Sequence, residues 1–310
     1  MKIIYYPTER LSLPPLSVAL GFFDGVHIGH RRLIEKTIKI AKEKGLVPAV
    51  FTFPAESAGL KSSSARLYST LEKLLIFEEL GVEYTIIADF SAVVDFTAEE
   101  FVRRVLVNEL NTEVALSGYN FRFGRGAKGD ADMLSRLMTE AGCEALILDE
   151  QRVDGETVST SIIRGLLSEG RLAEANRLLG SPYRQRALVE RGLGLGRTMG
   201  FPTVNTEVTY TPLPRGVYAS VVKMDEKCYT GVTNLGICPT FEERELHLET
   251  LIVDYSGDAY DRSISIYFIE KLRDEQVFES PEALREQVYI DREKAIAIVR
   301  NIKWQEIGLS

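Results

Sequence analysis

Short apolar runs and amphipathic segments alternate along the first half of the chain. Continuous apolar runs predict strands at residues 17–20, 47–53, 84–88, 114–116 and 144–148, with a short leading strand at residues 2–6. Apolar residues at helical spacing predict helices over residues 31–44, 70–80, 97–110 and 130–141. The expected apolar stripe of the first helix is Leu33, Ile34, Thr37, Ile38 and Ala41. Strands that alternate with helices predict a parallel, doubly wound α/β sheet of the Rossmann-like type.

The pattern changes after Ser181 and Pro182. Before that point Asp154 and Gly155 predict a hairpin turn, and residues 161–170 and 171–180 predict two short helices. Beyond it, strand-like segments follow one another at residues 183–191, 216–224, 228–233, 247–253 and 263–271, and an amphipathic helix follows Pro281. Consecutive strands without intervening helices predict a small antiparallel β-barrel. We therefore expect two domains, residues 1–181 and residues 182–310.

Composition narrows the classes of function. Of 310 residues, 45% are hydrophobic and 26% are charged, and the formal net charge of −8 argues against a general binder of nucleic acid or membrane surfaces. No segment approaches the roughly 18 apolar residues of a spanning helix, and residues 1–20 lack the features of a secretion signal. The three cysteines form no CxxC pair and are odd in number, which favours a reduced, cytoplasmic setting.

The turn after the strand at residues 17–20 carries the strongest chemical signal. It contains Gly21, Gly25 and Gly29, and two of the chain's three histidines, His27 and His30, lie there at the start of a helix. A helix N-terminus offers unpaired N–H groups and about half a positive charge to a phosphate. Imidazoles suit a phosphate that gains negative charge in a transition state. The alternative is a tight turn with one capping histidine, which leaves the second imidazole unexplained.

Two further segments are expected at the same edge of the sheet. Residues 117–129 hold three cations, four glycines, three aromatic residues and no acidic residue, a composition that favours stacking against a planar ligand over a solvated loop. Residues 158–164 bring hydroxyl groups and Arg164 to a helix start, although N-capping alone would explain the hydroxyls. In a doubly wound sheet, ligands bind beyond the carboxyl ends of the strands, where the winding direction reverses.

A glycine-rich stretch at residues 193–205 is the second candidate site. Backbone N–H groups around its glycines suit an anion. Thr203 and Asn205 alternate on an extended segment and present two oxygen ligands on one face, which is adequate for Mg²⁺. The alternative is a glycine-rich bend that enters a strand. On a later alternating strand, Glu249 shares a face with His247 and Leu251, and we expect no special role for His247.

These motifs resemble a known enzyme family. The residues His27, Ile28, Gly29 and His30, with residues 159–164, resemble the paired motifs of HxGH nucleotidyltransferases. Residues 21–30 and 118–129 are similar to the adenylyltransferase half of bacterial bifunctional riboflavin kinase/FMN adenylyltransferases, the prokaryotic FAD synthetases. Residues 196–205, 215–218, 234–241 and 248–255 are similar to riboflavin kinase segments, so the resemblance runs nearly end to end.

The resemblance implies an enzyme that phosphorylates riboflavin to FMN and then transfers an adenylyl group from ATP to FMN, giving FAD and pyrophosphate. Mg²⁺ is the implied metal. The implied catalytic residues are His27, His30 and Glu249. For the adenylyltransferase the implied ATP-binding residues are Gly21, Phe23, Gly25, His27, His30, Asn120, Ser159, Thr160 and Arg164, with Asn120 and Phe123 at the flavin. For the kinase they are Gly196, Gly200, Thr203 and Asn205 at ATP, Thr203 and Asn205 at Mg²⁺, and Glu249 and Arg273 at the flavin.

Several positions depart from the family pattern. Asn120 stands where many relatives have an acidic residue, Ile162 where they often have arginine, and Leu251 where many have histidine. Residues 53–56, Phe-Pro-Ala-Glu, replace a common histidine-containing string. These departures concern the flavin contacts more than the phosphate chemistry.

Two alternative functions stay open at this point. One is a single-activity FMN adenylyltransferase whose barrel binds flavin without phosphorylating it; the other is a non-catalytic, flavin-binding regulatory protein. The presence of Thr203, Asn205 and Glu249 argues against the first, and His27 with His30 argues against the second. Riboflavin, FMN and ATP are the expected partners. The oligomeric state, monomer or weak homo-oligomer, is left open.

Overall fold

The chain divides into two compact units. The computed structural model describes residues 1–8, 12–57, 66–191, 200–208, 210–225, 227–237 and 246–302. Contacts within the chain separate Met1–Thr160 from Ser161–Ser310. The expected functional boundary at residue 181 stays a prediction.

The first unit contains a six-stranded sheet. Its strands are β1 (Lys2–Tyr6), β2 (Leu16–Leu20), β3 (Val47–Thr52), β4 (Tyr84–Ala88), β5 (Thr112–Gly118) and β6 (Glu144–Leu148), followed by a hairpin of β7 (Arg152–Val153) and β8 (Glu156–Thr157). Its helices are α1 (Ile28–Lys44), α2 (Thr70–Leu80), α3 (Phe90–Val93), α4 (Ala98–Glu100, continuing as a π-helix over Phe101–Glu109) and α5 (Ala131–Glu140). A short 3₁₀ turn covers Arg125–Ala127.

The sheet is parallel throughout, in the order β1-β4-β3-β2-β5-β6. Every residue of β2 is buried, as expected for a central strand covered on both faces. The chain winds from β2 towards β3 and β4 and then returns to place β5 on the other side of β2. This confirms the doubly wound prediction. The turn after β2 and the loop after β5 therefore begin side by side at the point where the winding reverses.

Two local expectations differ from the structure. The capping box at Thr97 and Glu100 is present, but the helix that follows has π-helical hydrogen bonds, ending with Leu110 N–H to the carbonyl of Val105. An apolar pattern predicts which face of a helix is buried. It does not distinguish the hydrogen bonds of an α-helix, which span four residues, from those of a π-helix, which span five. In α1, Ile40 is buried and Ile38 is only partly buried.

The second unit is built around a closed antiparallel barrel, which confirms the predicted class. The helices α6 (Thr160–Ser168) and α7 (Leu172–Leu179) precede the strands β9 (Arg184–Glu190), β10 (Thr203–Glu207), β11 (Gly216–Met224), β12 (Lys227–Ile237), β13 (Leu246–Ile252) and β14 (Ser263–Arg273). The order around the barrel is β10-β13-β12-β11-β14-β9. The chain then forms α8 (Pro281–Arg300). Among the described residues, no helix is long and apolar enough to cross a membrane.

Alternation along the strands gives the barrel two different faces. One face fills the interior, where Tyr218 packs edge-on against Phe268 and a chain of hydroxyl groups joins Ser220, Thr233 and Thr250. The other face packs against α8. This outer cluster contains Phe201, Val217, Ala219, Val232 and Leu251, with Leu284, Val288, Ala295 and Ile298 from the helix. The second candidate site lies on this outer face.

Candidate active sites

The turn between β2 and α1 has an unusual backbone. Phe23, Gly25 and Val26 all have positive φ angles, of 55°, 81° and 38°. A Cβ at Gly25 would also lie 2.5 Å from Cδ1 of Leu67, so a larger residue meets both a conformational and a steric obstacle. At Gly21 a Cβ would lie 3.0 Å from the Phe23 ring. The glycines thus permit a tight path that ends at the N-terminus of α1.

His27 and His30 lie together at this helix start. His27 is the N-cap residue, and its Nδ1 accepts a hydrogen bond from the backbone N–H of His30 at 3.4 Å. The two rings stack, with centroids 3.7 Å apart and an interplanar angle of 15°. Because Nδ1 of neutral His27 is an acceptor, its proton lies on Nε2, which is therefore the available donor. A Cβ at Gly29 would lie 3.2 Å from Cε1 of His27, so the small residue leaves room for the ring.

Burial keeps both imidazoles neutral. It lowers the pKa of His27 to about 4. Burial, with smaller contributions from His27 and Lys73, holds the pKa of His30 well below its usual range. The Nδ1 atom of His30 is shielded from solvent and has no hydrogen-bond partner in the described part of the chain. At neutral pH the site therefore offers imidazole N–H donors at the positive end of a helix, a suitable arrangement for phosphate oxygens.

Groups that sequence reasoning missed hold the turn in place. Asp24 is buried, and its Oδ1 accepts hydrogen bonds from the N–H groups of Leu67 (2.8 Å) and Tyr68 (3.4 Å). The hydroxyl of Thr160, a predicted ATP-binding residue, donates to the carbonyl of Asp24 at 3.0 Å. Lys73 of α2 is also buried beside this turn. For Lys73, the available signal was a charged residue among the apolar residues of α2. Its burial was not predictable from that signal, because the residues that it contacts come from distant segments.

The Phe23 ring packs between the first site and α2. It is 1% exposed and packs edge-on against His30 and against Phe77 of α2. Its side chain thus belongs to the core, and a contact between this residue and ATP would have to involve the backbone. The predicted ATP-binding role of Phe23 stays a prediction in that restricted form.

The loop after β5 separates its aromatic residues into different environments. Phe123 is 7% exposed, stacks on Phe121 and contacts Phe101, and a backbone bridge joins it to Gly129. The ring expected to lie against the flavin is thus part of the hydrophobic core, because the loop folds back on itself at this bridge. Asn120 is exposed near the start of the loop. The flavin-binding roles of both residues stay predictions.

Two of the three cations of this loop have structural partners. Arg125 donates from Nε and Nη2 to the carbonyl of Asp95, at 2.8 and 2.6 Å. Arg122 forms an ion pair with Asp130 at 3.3 Å. Ser159 lies before the start of α6, and Arg164 lies on α6 in the second unit. Their predicted ATP contacts stay predictions.

The second site is a row of polar residues aligned by strand pairing. Asn205 of β10 is opposite Glu249 of β13, which is opposite Asn234 of β12. Residues directly opposite one another in antiparallel strands project to the same face. The hydroxyl of Thr203, two residues before Asn205, donates to Oε1 of Glu249 at 2.6 Å. Thr203 and Asn205 thus share a face of β10, as predicted, and the strand register places Glu249 on the same face.

A cavity of about 520 Å³ opens beside this row. Its walls combine an apolar set with a few polar groups, and the residues that line it include Phe201, Thr203, Val217, Val232, Asn234, Glu249, Leu251, Arg273, Phe278, Leu284, Val288 and Asp291. Glu249 therefore faces a cavity under α8, whereas an ordinary strand carboxylate would face open solvent. The volume and the mainly apolar wall are typical of a site for a flat organic ligand.

Arg273 is fixed at the edge of this cavity by α8. Its Nε donates to Oδ2 of Asp291 at 2.8 Å, and Asp291 is 1% exposed. Gln287 donates to the other carboxylate oxygen at 2.9 Å. The guanidinium also lies 5.6 Å from the Phe278 ring centroid. Sequence reasoning missed Asp291, which has helical spacing typical of a surface acid but is buried by the fold.

The remaining predicted residues fall into two groups. Gly200 is described and has a φ of 86°. Gly196, with the rest of residues 192–199, lies outside the described residues, as does Cys238. Leu251, the departure noted above, is opposite Thr203 and contributes to the apolar wall.

Three side chains on this face carry oxygen atoms of the kind that Mg²⁺ prefers. Thr203, Asn205 and Glu249 present hydroxyl, amide and carboxylate oxygens on one side of two paired strands. Mg²⁺ prefers such ligands and completes its shell with water and phosphate oxygens. The described residues contain no group of three or more His, Cys, Asp or Glu side chains arranged for a metal ion. The set therefore fits a metal that is shared with a nucleotide.

Comparison with known proteins identifies the family of the chain. The FAD synthetase family model matches residues 10–162, and the riboflavin kinase family model matches residues 179–299. The bifunctional riboflavin kinase/FMN adenylyltransferase of Bacillus subtilis is 34% identical over 297 residues, which cover 92% of this chain and 93% of that protein. The chain belongs to this family.

Other matches extend the comparison. The Escherichia coli K12 member is 34% identical over 280 residues, covering 88% of this chain and 90% of that protein. A Streptococcus pneumoniae crystal structure titled as a macrolide-efflux protein is 27% identical, covers 98% of this chain and 100% of its own, and superposes with a TM-score of 0.82. The chain is thus a riboflavin kinase and an FMN adenylyltransferase, with ATP and flavins as its substrates and products.

Proposed function

We propose that the turn between β2 and α1 is the adenylyl-transfer site and that the outer barrel face under α8 is the riboflavin kinase site. The observation that carries the first assignment is the stacked, neutral pair of His27 and His30 at a helix N-terminus. The second rests on the short contact between Thr203 and Glu249 at the wall of an apolar cavity.

In adenylyl transfer, a phosphate oxygen of FMN attacks the α-phosphorus of ATP, and the bond to the bridging oxygen breaks to release pyrophosphate. The FMN phosphate is already ionised at neutral pH, so this step needs no general base. Nε2–H of His27 and the imidazole of His30 donate hydrogen bonds to oxygens that gain charge. The α1 N-terminus adds its dipole to the same region. The protein's contribution is alignment and charge stabilisation.

In the kinase step, the 5′-hydroxyl of riboflavin attacks the γ-phosphorus of ATP, and the bond from that phosphorus to the β,γ-bridging oxygen breaks to release ADP. An alcohol hardly ionises at neutral pH, so the carboxylate of Glu249 accepts the hydroxyl proton as the new bond forms. The Thr203 hydroxyl orients that carboxylate through its hydrogen bond. The apolar wall formed by Phe201, Val217 and Leu251 covers the flavin ring, and Arg273 contacts its polar edge.

Mg²⁺ neutralises the phosphates of ATP when it is bound, and Thr203 with Asn205 would hold it at the kinase site. Both residues lie on β10 with their side chains on the face of Glu249. The further residues that we assign to ATP binding in the first site are Gly21, Gly25, Asn120, Ser159, Thr160 and Arg164. In the second site they are Gly196 and Gly200. A reduced, cytoplasmic location stays part of this proposal, because two free cysteines, Cys143 and Cys228, occur among the described residues.

One experiment tests the two reactions together. The purified protein is incubated with riboflavin, ATP and Mg²⁺, and the flavins are separated over time. FMN should appear first and FAD second, and omission of Mg²⁺ should suppress both. FAD formation from added FMN without FMN formation from riboflavin would remove the kinase assignment. The absence of both products would remove both assignments.

A further inference from the structure

Lys73 is a buried lysine beside the first site. It lies in the first turns of α2 and is 1% exposed. Its Nζ donates to Oγ1 of Thr52 at 3.2 Å and to the carbonyl of Phe53 at 2.9 Å, and it lies 4.5 Å from the Phe22 ring centroid. The Thr52 hydroxyl in turn donates to the carbonyl of Phe22 at 3.0 Å. Lys73 is therefore connected through one hydroxyl to the backbone of the turn that carries the histidines.

No carboxylate in the described part of the chain lies within ion-pair distance of Nζ. The acids that attract Lys73 electrostatically, Asp24 and Glu56, form no ion pair with it, and both have other partners. Asp24 accepts the N–H groups of Leu67 and Tyr68, and Glu56 accepts the Thr70 hydroxyl and pairs with Arg66 at 3.7 Å. A buried ammonium group without a paired carboxylate costs several kcal/mol. The two acceptors on Nζ are neutral, and the two N–H groups of an uncharged amine satisfy both, so the local packing accommodates Lys73 without its charge.

A positive charge on Lys73 stabilises a polyphosphate that binds at the turn. A cation in a low-dielectric interior acts over a longer range than one at the surface. Lys73 acts electrostatically on His30, because it contributes to the lowered pKa of the His30 imidazole. If the turn holds ATP, the polyphosphate supplies the negative charge that the interior lacks.

We propose that Lys73 is a positioning residue of the adenylyl-transfer site, a buried amine that takes up a proton from solvent, and so becomes positively charged, when the anionic nucleotide binds the turn. This inference rests on the proposed function of that turn. Before binding, burial lowers the pKa of Lys73 to about 7, against the opposing attraction of Asp24 and Glu56, so a substantial fraction is neutral. The charged groups that face it are Asp24 in the turn, Glu56 after β3 and the titratable His30 on α1.

Proton uptake is measured by titration calorimetry of the full chain with ATP and Mg²⁺ at about pH 8, in buffers of different ionisation enthalpy. The kinase site is unchanged in Lys73→Met, so the difference between wild type and this variant reports Lys73. Wild type should take up more protons per ATP than Lys73→Met. Equal uptake in the two proteins would overturn the proposal, as would the absence of uptake by wild type.

Kinetics give an independent readout. Lys73→Met should lower kcat/KM for FAD formation by about 10- to 30-fold, mostly through KM for ATP, because the charge acts on ground state and transition state alike. Lys73→Arg, which carries a permanent charge, should restore part of this loss and flatten the pH dependence between about pH 6.5 and 8. The exposed Lys39→Met is the matched control and should change nothing.

Two results separate this proposal from the one on which it rests. If wild type forms no FAD, the function of the turn is wrong. If wild type forms FAD and Lys73→Met retains its KM for ATP and its pH profile, only the role of Lys73 is wrong. Should Lys73→Met fail to unfold cooperatively, Lys73→Arg takes its place in the calorimetry: its permanent charge should remove the extra proton uptake, and uptake equal to that of wild type would overturn the proposal.

Discussion

The two candidate sites are built in opposite ways. The first is contiguous in sequence: a strained turn, two stacked histidines and a helix N-terminus lie within residues 21–30. The second is assembled by strand register, which places Asn205, Glu249 and Asn234 side by side although they are far apart along the chain. The first offers neutral donors, and the second offers a carboxylate that faces a cavity. This difference fits the two proposed reactions. The alcohol nucleophile of riboflavin phosphorylation requires a proton acceptor, and the phosphate nucleophile of adenylyl transfer does not.

The sharpest way to break this comparison is to remove the carboxylate. Glu249→Gln keeps the shape of the side chain but accepts no proton, so kcat for riboflavin phosphorylation should fall by about 10²- to 10⁴-fold. FAD formation from added FMN should stay unchanged. Flavin separation after each step measures both rates. Glu207→Gln, an exposed acid two residues beyond Asn205 on β10, is the matched control. Loss of both activities in Glu249→Gln would contradict separate sites.

Removal of a histidine tests the other half of the comparison. His30→Ala deletes a donor to the transferring phosphate, and kcat for FAD formation should fall by about 10²- to 10³-fold. Riboflavin phosphorylation should persist at the wild-type rate. His247→Ala, which changes the third histidine of the chain, serves as the control for FAD formation. An unchanged FAD rate in His30→Ala would remove the histidine pair from the mechanism.

The pH dependence of stability sharpens the picture of neutral imidazoles. The pKa of His27 is about 4 in the folded protein against 6.5 for the free side chain, so the unfolded state binds more protons between these values. The free energy of unfolding should therefore fall by about 3 kcal/mol from this residue as the pH decreases from 6.5 to 4. Urea unfolding of wild type and His27→Asn at several pH values measures the difference. Parallel curves for the two proteins would show that His27 is not buried as a neutral base.

The smallest predicted effect concerns the backbone of the turn. Gly25→Ala combines a φ of 81° with a Cβ 2.5 Å from Leu67, and we expect a loss of about 2–3 kcal/mol in the stability of the first unit. Gly155→Ala has a similar φ of 85° but no atom within 4 Å, so it should cost about 1 kcal/mol. Urea midpoints provide the comparison. Equal losses in the two variants would show that Leu67 moves away freely and does not restrain the turn.

The sequence by itself determined the parts of the molecule that are local. Alternating apolar runs indicated the doubly wound sheet, and a series of strands indicated the barrel, because side-chain periodicity depends only on neighbouring residues. The capping box at Thr97 and the left-handed Gly45 that ends α1 were similarly predictable. Residues 21–30 were identifiable as a candidate phosphate site because all their groups lie in one turn.

Only the tertiary structure decided which charged and aromatic side chains are buried. The Phe123 ring, whose flavin contact stays a prediction, is largely buried in the core, and Lys73, Asp24 and Asp291 were inconspicuous in the sequence and are buried beside the sites. Burial depends on segments distant along the chain. Lys73 of α2 contacts Thr52 at the end of β3, and Asp291 of α8 contacts Arg273 of β14. Their energetic roles follow from a low-dielectric environment, which no local pattern of residues can specify.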